Sequence, residues 1–593
     1  MCGFSGQLRL DGAPADRALV KRMTARLRHR GPDAGAHYFS RSIGLGHRRL
    51  AIIDSAGGGQ PMLNDRRSLC VVSNSEIYNY LELRQDLGAA GRRFKTSSDT
   101  EVLLSALEHY GTKALDGLEG MFALALWNDV EETLVLARDP FGIKPLYYYA
   151  DGESLLFASE LKSLLAYPRL DRELNLPAID RYFGSLALPE PHSVLRRVHK
   201  LPAGHILTAG QGRVRLERYC APPPVRGHGM GRAASGDTPQ QRLGEALQHT
   251  VQLTLRSDVP VGVLLSGGVD SSTVAALAVT HSPRRVHTFS ATFGETQYDE
   301  SQASRLVARH LGTRHHEVMV TRDQAARIAA RLTQTIDEPF ADSSAVPTFA
   351  VCELASAHVK TVLSGEGADE LFAGYPWHLP LRDGNRAARI GEHPSATIFR
   401  HSERAGLYSP RWRRDMPVKR PSRRLTPLAS RQGSPLRRAL LSDLAGYLPS
   451  DILFKSDRVS MTHSLEVRLP FLNRGFAEFV MALPDRLKIR DGIQKYLLKR
   501  TAAKWLPRTV VTRPKQGFSI PIDLWLWQKG AWRDLVYDTV FSRRTRERDQ
   551  FNLHLLERMQ REHDRLEGLH GHRLWTVFIF EAWQRRFMDG TGA

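Results

Sequence analysis

A glycine-rich loop at residues 266–272 carries the clearest chemical signal in the chain. It follows the apolar run 261–265 and precedes a helix-compatible run from Thr273, an order that predicts a buried strand, a tight turn and a helix start. Adjacent glycines let the backbone approach a ligand, and N–H groups at a helix start bind phosphate. Asp270 would repel that anion unless a cation such as Mg²⁺ bridges the two. The predicted phosphate cradle consists of Ser266, Gly267, Gly268, Asp270, Ser271 and Ser272.

Cys2 is the second candidate for chemistry, because it directly follows the initiator methionine. Removal of Met1 would leave Cys2 with a free α-amine, whose reference pKa of about 7.7–8.0 suits it as base for its own thiol, of pKa about 8.5. Nucleophile and base would then share one residue. Position alone leaves open the alternative of an ordinary N-terminal cysteine.

The string SGGVDSS resembles the pyrophosphate loop of enzymes that cleave ATP between the α and β phosphates. The chain has no G-x-x-x-x-G-K-[ST] sequence, so this is not a Walker A loop. The resemblance implies adenylation, in which a carboxylate attacks the α-phosphorus of ATP, forms an acyl-AMP and expels pyrophosphate.

The segments after Cys2 resemble a class II glutamine amidotransferase domain of the N-terminal-nucleophile type. The motifs are MCG, HRGPD, HRRLAIID, NSEIYN, SSDTE and RDPFGIKPLYY, in the family's order over residues 2–205. The resemblance implies that Cys2 attacks the side-chain amide of L-glutamine to give a γ-glutamyl thioester. It assigns the oxyanion hole to Asn74 and the next backbone N–H, and the α-ammonium contacts to Glu76 and Asp99. The implied glutamine-binding residues are Arg49, for the α-carboxylate, Leu50, Ala51, Ile52, Ile53, Asn74, Ser75, Glu76 and Asp99.

Ser75 departs from the family pattern, in which glycine follows the oxyanion asparagine. If the backbone there needs a positive φ, serine carries a strain of about 1 kcal/mol or more, and the oxyanion N–H is misplaced. We expect an active glutaminase that Ser75 would weaken in that case.

A second acidic loop, SGEGADE at residues 364–370, follows a predicted strand at 359–363. Carboxylates from two strand ends, Asp270 and Asp369, suit one octahedral Mg²⁺ that keeps bound waters. With KSDRVSM, SLEVRLPFL and RPKQGF, the loop makes the chain resemble glutamine-hydrolysing asparagine synthetases over nearly its whole length.

This resemblance supplies the remaining site residues. Glu366 would serve adenylation and amidation, and Lys515 would neutralise phosphate charge. The residues implied for ATP, beyond the phosphate cradle, are Leu264 and Ala291 for adenine and Ser364 and Gly365 for AMP.

The elements that must position these residues predict an α/β protein of two domains. The N-terminal domain, 2–205, is expected to be an αββα amidotransferase fold. Predicted strands at 286–293, 315–320 and 359–363 alternate with helices and indicate a doubly wound parallel sheet, with ligands at the carboxyl ends of its strands. The ATP-pyrophosphatase domain is expected at 241–593, after a Gly-, Pro- and Arg-rich linker at 206–240.

Composition excludes several other classes. At 593 residues with 42% hydrophobic content, no membrane-length apolar run and no signal peptide, the chain is expected to be cytoplasmic. Its four distant cysteines predict no disulfide or metal site. The net charge of +20 is a feature of many nucleic-acid-binding proteins, but the Arg-rich stretch 382–438 has few interleaved aromatics and no recognised motif, which favours a solvated basic face.

The acceptor carboxylate is the open question. Aspartate is the default, with asparagine, AMP and pyrophosphate as products. However, the segment 337–347 lacks the arginine found where well-studied asparagine synthetases bind the acceptor, so a peptide, cell-wall, osmolyte or natural-product acid remains an alternative. A ligase that no longer uses glutamine is a second alternative, which Cys2 disfavours. The sequence leaves open whether the chain forms a homodimer.

Overall fold

Two six-stranded antiparallel sheets form the centre of the N-terminal domain. The computed structural model describes residues 2–221, 238–382, 398–416 and 433–590, and the sheets run β10-β8-β9-β1-β3-β2 and β12-β11-β7-β6-β5-β4. Their strands are β1 (Gly3–Arg9), β2 (Ala34–Ser40), β3 (Ile43–Arg49), β4 (Met62–Leu63), β5 (Leu69–Ile77), β6 (Gly120–Asn128), β7 (Thr133–Arg138), β8 (Tyr147–Ala150), β9 (Ser154–Ala158), β10 (Val198–Lys200), β11 (His205–Gly210) and β12 (Arg213–Arg218).

Helices cover the outer faces of these sheets and complete four layers. One helix packs on β1 and β3, and another packs on β5, while β1 and β3 face β5 between the sheets. The helices are α1 (Arg17–Ala25), α2 (Tyr80–Ala89), α3 (Asp99–Tyr110), α4 (Leu161–Leu164) and α5 (Leu176–Ser185). The Ser98 hydroxyl accepts from the Thr100 N–H at the start of α3, as its position in SSDTE predicts. The expected αββα architecture is confirmed.

The amidotransferase sheet extends beyond residue 205. Strand β11 pairs with β7 and with β12, so residues 206–218, which the sequence assigns to the linker, form a hairpin. Glycines around a tight turn, Gly210-Gln211-Gly212, give this hairpin the composition of a linker. Residues 222–237 of the predicted linker, and residues 383–397 and 417–432 of the Arg-rich stretch, lie outside the described residues.

A five-stranded parallel sheet organises the C-terminal domain, in the order β15-β14-β13-β16-β17. Strand β13 is central, and the chain passes first to β14 on one side and later to β16 on the other, which places a crevice at the carboxyl ends of β13 and β16. The strands are β13 (Val261–Leu264), β14 (His287–Thr292), β15 (Arg314–Met319), β16 (Thr361–Leu363) and β17 (Glu466–Arg468), with a separate pair β18 (Ile489–Arg490) and β19 (Ile493–Gln494). The doubly wound parallel sheet is confirmed.

Helices flank this sheet and form most of the remaining chain. Among the described helices, none has the length and apolar composition needed to span a bilayer. They are α6 (Pro239–Thr254), α7 (Val269–His281), α8 (Ser301–Leu311), α9 (Arg322–Thr335), α10 (Ala345–Ser356), α11 (Ala368–Phe372), α12 (Leu379–Arg382), α13 (His401–Leu407), α14 (Pro410–Asp415), α15 (Pro435–Ser442), a π-helix (Asp443–Ile452), α16 (Leu453–Met461), α17 (Arg474–Ala482), α18 (Asp485–Lys488), α19 (Tyr496–Ala502), α20 (Arg508–Thr512), α21 (Ile522–Trp527), α22 (Ala531–Val540), α23 (Arg543–Arg548), α24 (Leu553–Asp564) and α25 (Gly571–Phe587).

Buried ion pairs cross the interface between the domains. The guanidinium of Arg30 donates to both carboxylate oxygens of Asp457 on α16, each at 2.8 Å. Arg468 on β17 donates to Glu76 on β5 at 2.7 Å. Both arginine side chains are fully buried, so each depends on its partner across the interface.

We expect Asp457→Ala to lower the unfolding free energy by about 3 kcal/mol or more, because it leaves the Arg30 charge buried without its main partner. Urea unfolding followed by circular dichroism measures the effect. Glu317→Ala is the matched control, because it breaks the surface pair with Arg305 and should cost less than about 1 kcal/mol. Equal costs for the two variants would contradict this account of the interface.

Candidate active sites

Cys2 lies immediately before β1 and is held by a residue of the opposite sheet. Its backbone nitrogen donates to Asn74 Oδ1 at 3.0 Å, and both residues are buried. The Nδ2 atom of Asn74 is buried and has no hydrogen-bond partner within the described part of the chain. Burial raises the pKa of the Cys2 thiol. One asparagine thus holds Cys2, the predicted nucleophile, through its oxygen and keeps a spare donor, as an oxyanion hole requires.

Arg49 anchors the loop that carries four of the predicted glutamine-binding residues. Its guanidinium donates to the carbonyls of Ser55 at 2.9 Å and Ile53 at 3.1 Å, which folds residues 50–55 around it. A Cβ on Gly58 would lie 2.4 Å from Arg49 Nη2, so glycine is needed for this close approach. Leu50, Ala51, Ile52 and Ile53 are all buried beside it.

The two acids predicted to meet the glutamine ammonium are both buried, and one is shared between domains. The Oδ2 atom of Asp99 accepts from the Ile77 N–H at 3.1 Å, while Glu76 pairs with Arg468. Burial raises the pKa of both carboxyls. The arrangement adds Arg468 to this site, a residue that the sequence shows only within the SLEVRLPFL motif.

The backbone of Ser75 does not carry the strain that a positive φ would cause. Ser75 lies within β5, opposite Phe122 of β6, and it is not among the described residues with positive φ. Its hydroxyl makes a 2.8 Å hydrogen bond with Ser73. The condition under which serine would misplace the oxyanion N–H is therefore not met, because a strand backbone accepts any side chain.

Arg30 is a functional candidate that the motif HRGPD contains but sequence reasoning left without a role. Its Nε donates to the backbone carbonyl of Cys2 at 3.0 Å, and its Nη1 donates to Glu160 at 2.7 Å. Because the same guanidinium binds Asp457 of the other domain, the position of Cys2 is coupled to the domain interface.

The phosphate cradle has the predicted strand–turn–helix form between β13 and α7. Gly267 has φ of +79°, and a Cβ there would lie 2.6 Å from the Ser304 nitrogen, so both its conformation and its space demand glycine. The hydroxyls of Ser266 and Ser271 are 3.0 Å apart. The buried Ser272 hydroxyl has no partner among the described residues, which leaves it available to a ligand.

The two Gly-rich loops lie against each other at the carboxyl edge of the sheet. A Cβ on Gly365 would lie 2.8 Å from the Ser271 nitrogen, so the second loop can approach the cradle only through glycine. Ser364 is held by its N–H, which donates to the Arg468 carbonyl at 2.9 Å. At the same edge, Leu264 ends β13 and Ala291 lies near the end of β14.

Two lysines form ion pairs with the two acids that are predicted to bind a metal ion. Lys495 contacts both Asp270 and Asp369, at 2.6 Å from the latter, and Lys515 pairs with Asp369 as well. Burial acts to raise the pKa of Asp369, but the two lysines outweigh it and hold the pKa at about 2. Burial raises the pKa of Asp270. Lys495 was missed because it lies far along the chain from both acids.

The acid pair fits a magnesium ion. Both carboxylates converge on a single cationic position, Lys495 Nζ, and the buried Asp270 Oδ1 has no hydrogen-bond partner within the described ranges. Carboxylate oxygens, together with waters and phosphate oxygens, form the donor set that Mg²⁺ prefers.

Glu366 faces a charged cluster from the segment predicted to bind the acceptor. Lys455 Nζ lies 2.8 Å from Ser344 Oγ and 3.2 Å from Asp342 Oδ2. Burial raises the pKa of Glu366, with Lys455 acting in the opposite direction. Its Oε2 is without a hydrogen-bond partner in the described residues, which suits a group that accepts a proton from a reactant.

Known proteins match both domains in this order. A family model described as glutamine amidotransferase domain matches residues 1–220, and one described as asparagine synthase matches residues 242–585. A Bacillus subtilis protein named glutamine-hydrolysing asparagine synthetase 1 is 32% identical over 99% of this chain and 98% of its own. A putative glutamine-hydrolysing asparagine synthetase of Mycobacterium bovis is 35% identical over the same shares. The resemblance seen in the motifs is thereby confirmed, and the chain belongs to the glutamine-hydrolysing asparagine synthetase family of ATP-dependent ligases.

Proposed function

We propose that this enzyme converts aspartate to asparagine in the cytoplasm, with ammonia from glutamine and with AMP and pyrophosphate as products. The observation that carries the proposal is that one chain holds both a nucleophile with a spare oxyanion donor, Cys2 with Asn74, and a phosphate cradle beside Glu366. The relatives that match its full length bear the name asparagine synthetase. Four free, buried cysteines suit a reducing compartment.

The glutaminase half uses the N-terminal residue as nucleophile and base. Once Met1 is removed, the Cys2 amine takes the thiol proton and the sulfur attacks the glutamine amide carbon. The developing oxyanion accepts from Asn74 Nδ2 and the Ser75 N–H. The C–N bond then breaks, the amine returns the proton to the leaving ammonia, and water hydrolyses the thioester to glutamate.

The synthetase half activates the acceptor on ATP. The acceptor carboxylate attacks the α-phosphorus, and pyrophosphate departs into the SGGVDSS loop, where Lys515 offsets its charge. Asp270 and Asp369 would hold Mg²⁺, which when bound neutralises phosphate charge. Ammonia then attacks the acyl carbon, Glu366 takes the proton that the nitrogen sheds, and AMP leaves.

A specific observation favours a second candidate, a monocarboxylate acceptor that carries a cationic amine and lacks the second carboxylate of aspartate. Carboxylates outnumber cations around Glu366: Asp451 interacts with Asp342, and burial raises the pKa of Asp451 well above its usual range. Burial also raises the pKa of Glu370 to about 7. Lys455 is the cation that these acids surround. Surroundings that raise the pKa of buried acids disfavour further negative charge, and hence a second carboxylate like that of aspartate, whereas an ammonium can pair with Asp342, whose pKa Lys455 holds below its usual value.

Cys2→Ala should abolish glutamine-dependent amide formation and leave ammonia-dependent formation within about twofold, because only the ammonia source is lost. The measurement is pyrophosphate release with ATP and Mg²⁺, with glutamine or ammonium chloride as nitrogen donor. Glu366→Gln is the comparison variant, which should lose both activities. Glutamine-dependent turnover in Cys2→Ala would refute the assignment of the nucleophile.

Ser75→Gly should change glutaminase kcat/KM by no more than about twofold, because the strand backbone at residue 75 carries no strain to relieve. Stability should fall by about 0.5–1 kcal/mol, the usual cost of glycine within a strand. Glutamate release and the urea midpoint report the two effects. A rise in kcat/KM of tenfold or more would show that serine does limit the oxyanion hole.

Aspartate should trigger pyrophosphate release, with asparagine identified by mass, in a panel of carboxylates that includes diamino and peptide acids. Silence with aspartate and turnover with an amine-bearing monocarboxylate would select the second candidate. In that event Asp342→Asn should raise the KM of that acceptor about tenfold, the equivalent of one charged hydrogen bond of about 1.5 kcal/mol, while the KM of ATP stays unchanged.

A further inference from the structure

Three histidines from separate segments meet at the amino-terminal edge of the parallel sheet. His287 begins β14, His316 lies in β15, and His358 lies in the turn between α10 and β16. The parallel register pairs Phe289 with His316, so the three imidazoles gather beside one phenylalanine ring. This edge is opposite to the one that carries the phosphate cradle, and the reaction described above uses none of these residues.

The ring nitrogens are close enough to share one ion. His287 Nδ1 lies 3.1 Å from His316 Nε2, and one nitrogen from each of the three rings lies within 4.8 Å of the other two. Zinc–nitrogen bonds of about 2.0–2.1 Å in a tetrahedral site place two ligand nitrogens about 3.3 Å apart. The first pair is thus already near ligand spacing, and the third ring nitrogen has to approach by at most about 1.5 Å.

The surroundings of the cluster combine access from solvent with an aromatic support. His358 is exposed and provides a path for an ion from solvent, while Phe289 stacks on His316 with ring centroids 5.2 Å apart. The ring stack holds the histidines in place before any ion arrives.

The positive charges of two neighbouring arginines disfavour the binding of a cation at the three histidines. Arg285 and Arg314 both act on His287, but Arg285 is turned to the carbonyls of Gly312 and Thr313, at 3.0 and 3.3 Å. The site therefore suits an ion that binds imidazole strongly and disfavours Mg²⁺ or Ca²⁺, which prefer oxygen.

We propose that His287, His316 and His358 form a binding site for a divalent transition-metal ion such as Zn²⁺, completed by water. A bound ion joins two strands and the turn before a third, and it therefore stabilises this edge of the sheet. Three protein ligands and one water would leave the site open to solvent. The inference does not depend on which carboxylate the enzyme amidates.

The test is titration of EDTA-treated full-length protein with Co²⁺ and Zn²⁺. Wild type should bind one more equivalent than His316→Phe, with tetrahedral Co²⁺ absorption in the visible range, and Zn²⁺ should raise the thermal midpoint of wild type alone. His316→Phe keeps a ring against Phe289 and removes the nitrogens. His199→Phe, at a half-buried histidine whose ring packs at a tilt against Tyr148, is the matched control and should bind as wild type does.

His358→Ala provides a second variant at an exposed position, where folding is least at risk, and it too should lose the additional equivalent. All variants keep Cys2, so any binding to its thiol cancels in the comparison. Equal metal stoichiometry in wild type, His316→Phe and His358→Ala would overturn the proposal and leave the cluster as an aromatic stack. Ammonia-dependent pyrophosphate release should be the same in every variant.

Discussion

The buried arginine Arg30 is the contact on which the two-site architecture depends. A guanidinium removed from water must be fully paired, and Arg30 finds its partners in the Cys2 carbonyl, Glu160 and Asp457. Two of these belong to the amidotransferase domain and one to the synthetase domain. Separating the domains would leave this buried charge without its Asp457 partner. The domain interface and the position of Cys2, the predicted nucleophile, therefore depend on the same side chain. Arg468 of the synthetase domain likewise depends on a partner in the amidotransferase domain, Glu76.

Topology explains why the synthetase chemistry gathers at one place. With β13 central and β16 beside it, the loops that follow these strands are adjacent although about a hundred residues separate them in the chain. The glycines at 267 and 365 then remove the side chains that would hold the loops apart. Four charged groups, Asp270, Asp369, Lys495 and Lys515, fill the resulting corner. Local sequence makes each loop, and strand order brings them together.

Local motifs and the meeting of Asp270 with Asp369 at one sheet edge were predictable from the sequence, and most other contacts across the chain were not. Cys2 and the SGGVDSS loop carry their chemistry within a few residues, and strands such as β14 follow from apolar runs bounded by turns. Arg30 and Asp457 are 427 residues apart, and Lys495 and Asp270 are 225 apart. Nothing in the composition around such residues identifies their partners. The hairpin at 206–218 was missed for a related reason, since its turn glycines resemble a linker.

The two edges of the parallel sheet differ in the charge of the ions that they favour. Helix starts and Gly-rich loops place N–H donors at the carboxyl edge, which therefore binds anions. The amino edge receives the ends of helices, whose carbonyls favour cations, and there the three histidines lie. His287 and Ala291 are four residues apart on β14, or about 13 Å along a strand. An ion at the histidines would thus lie too far from Ala291, the predicted adenine contact, to take part in the reaction, but it would hold the same strand. Its influence on catalysis would have to act through the stability of that strand.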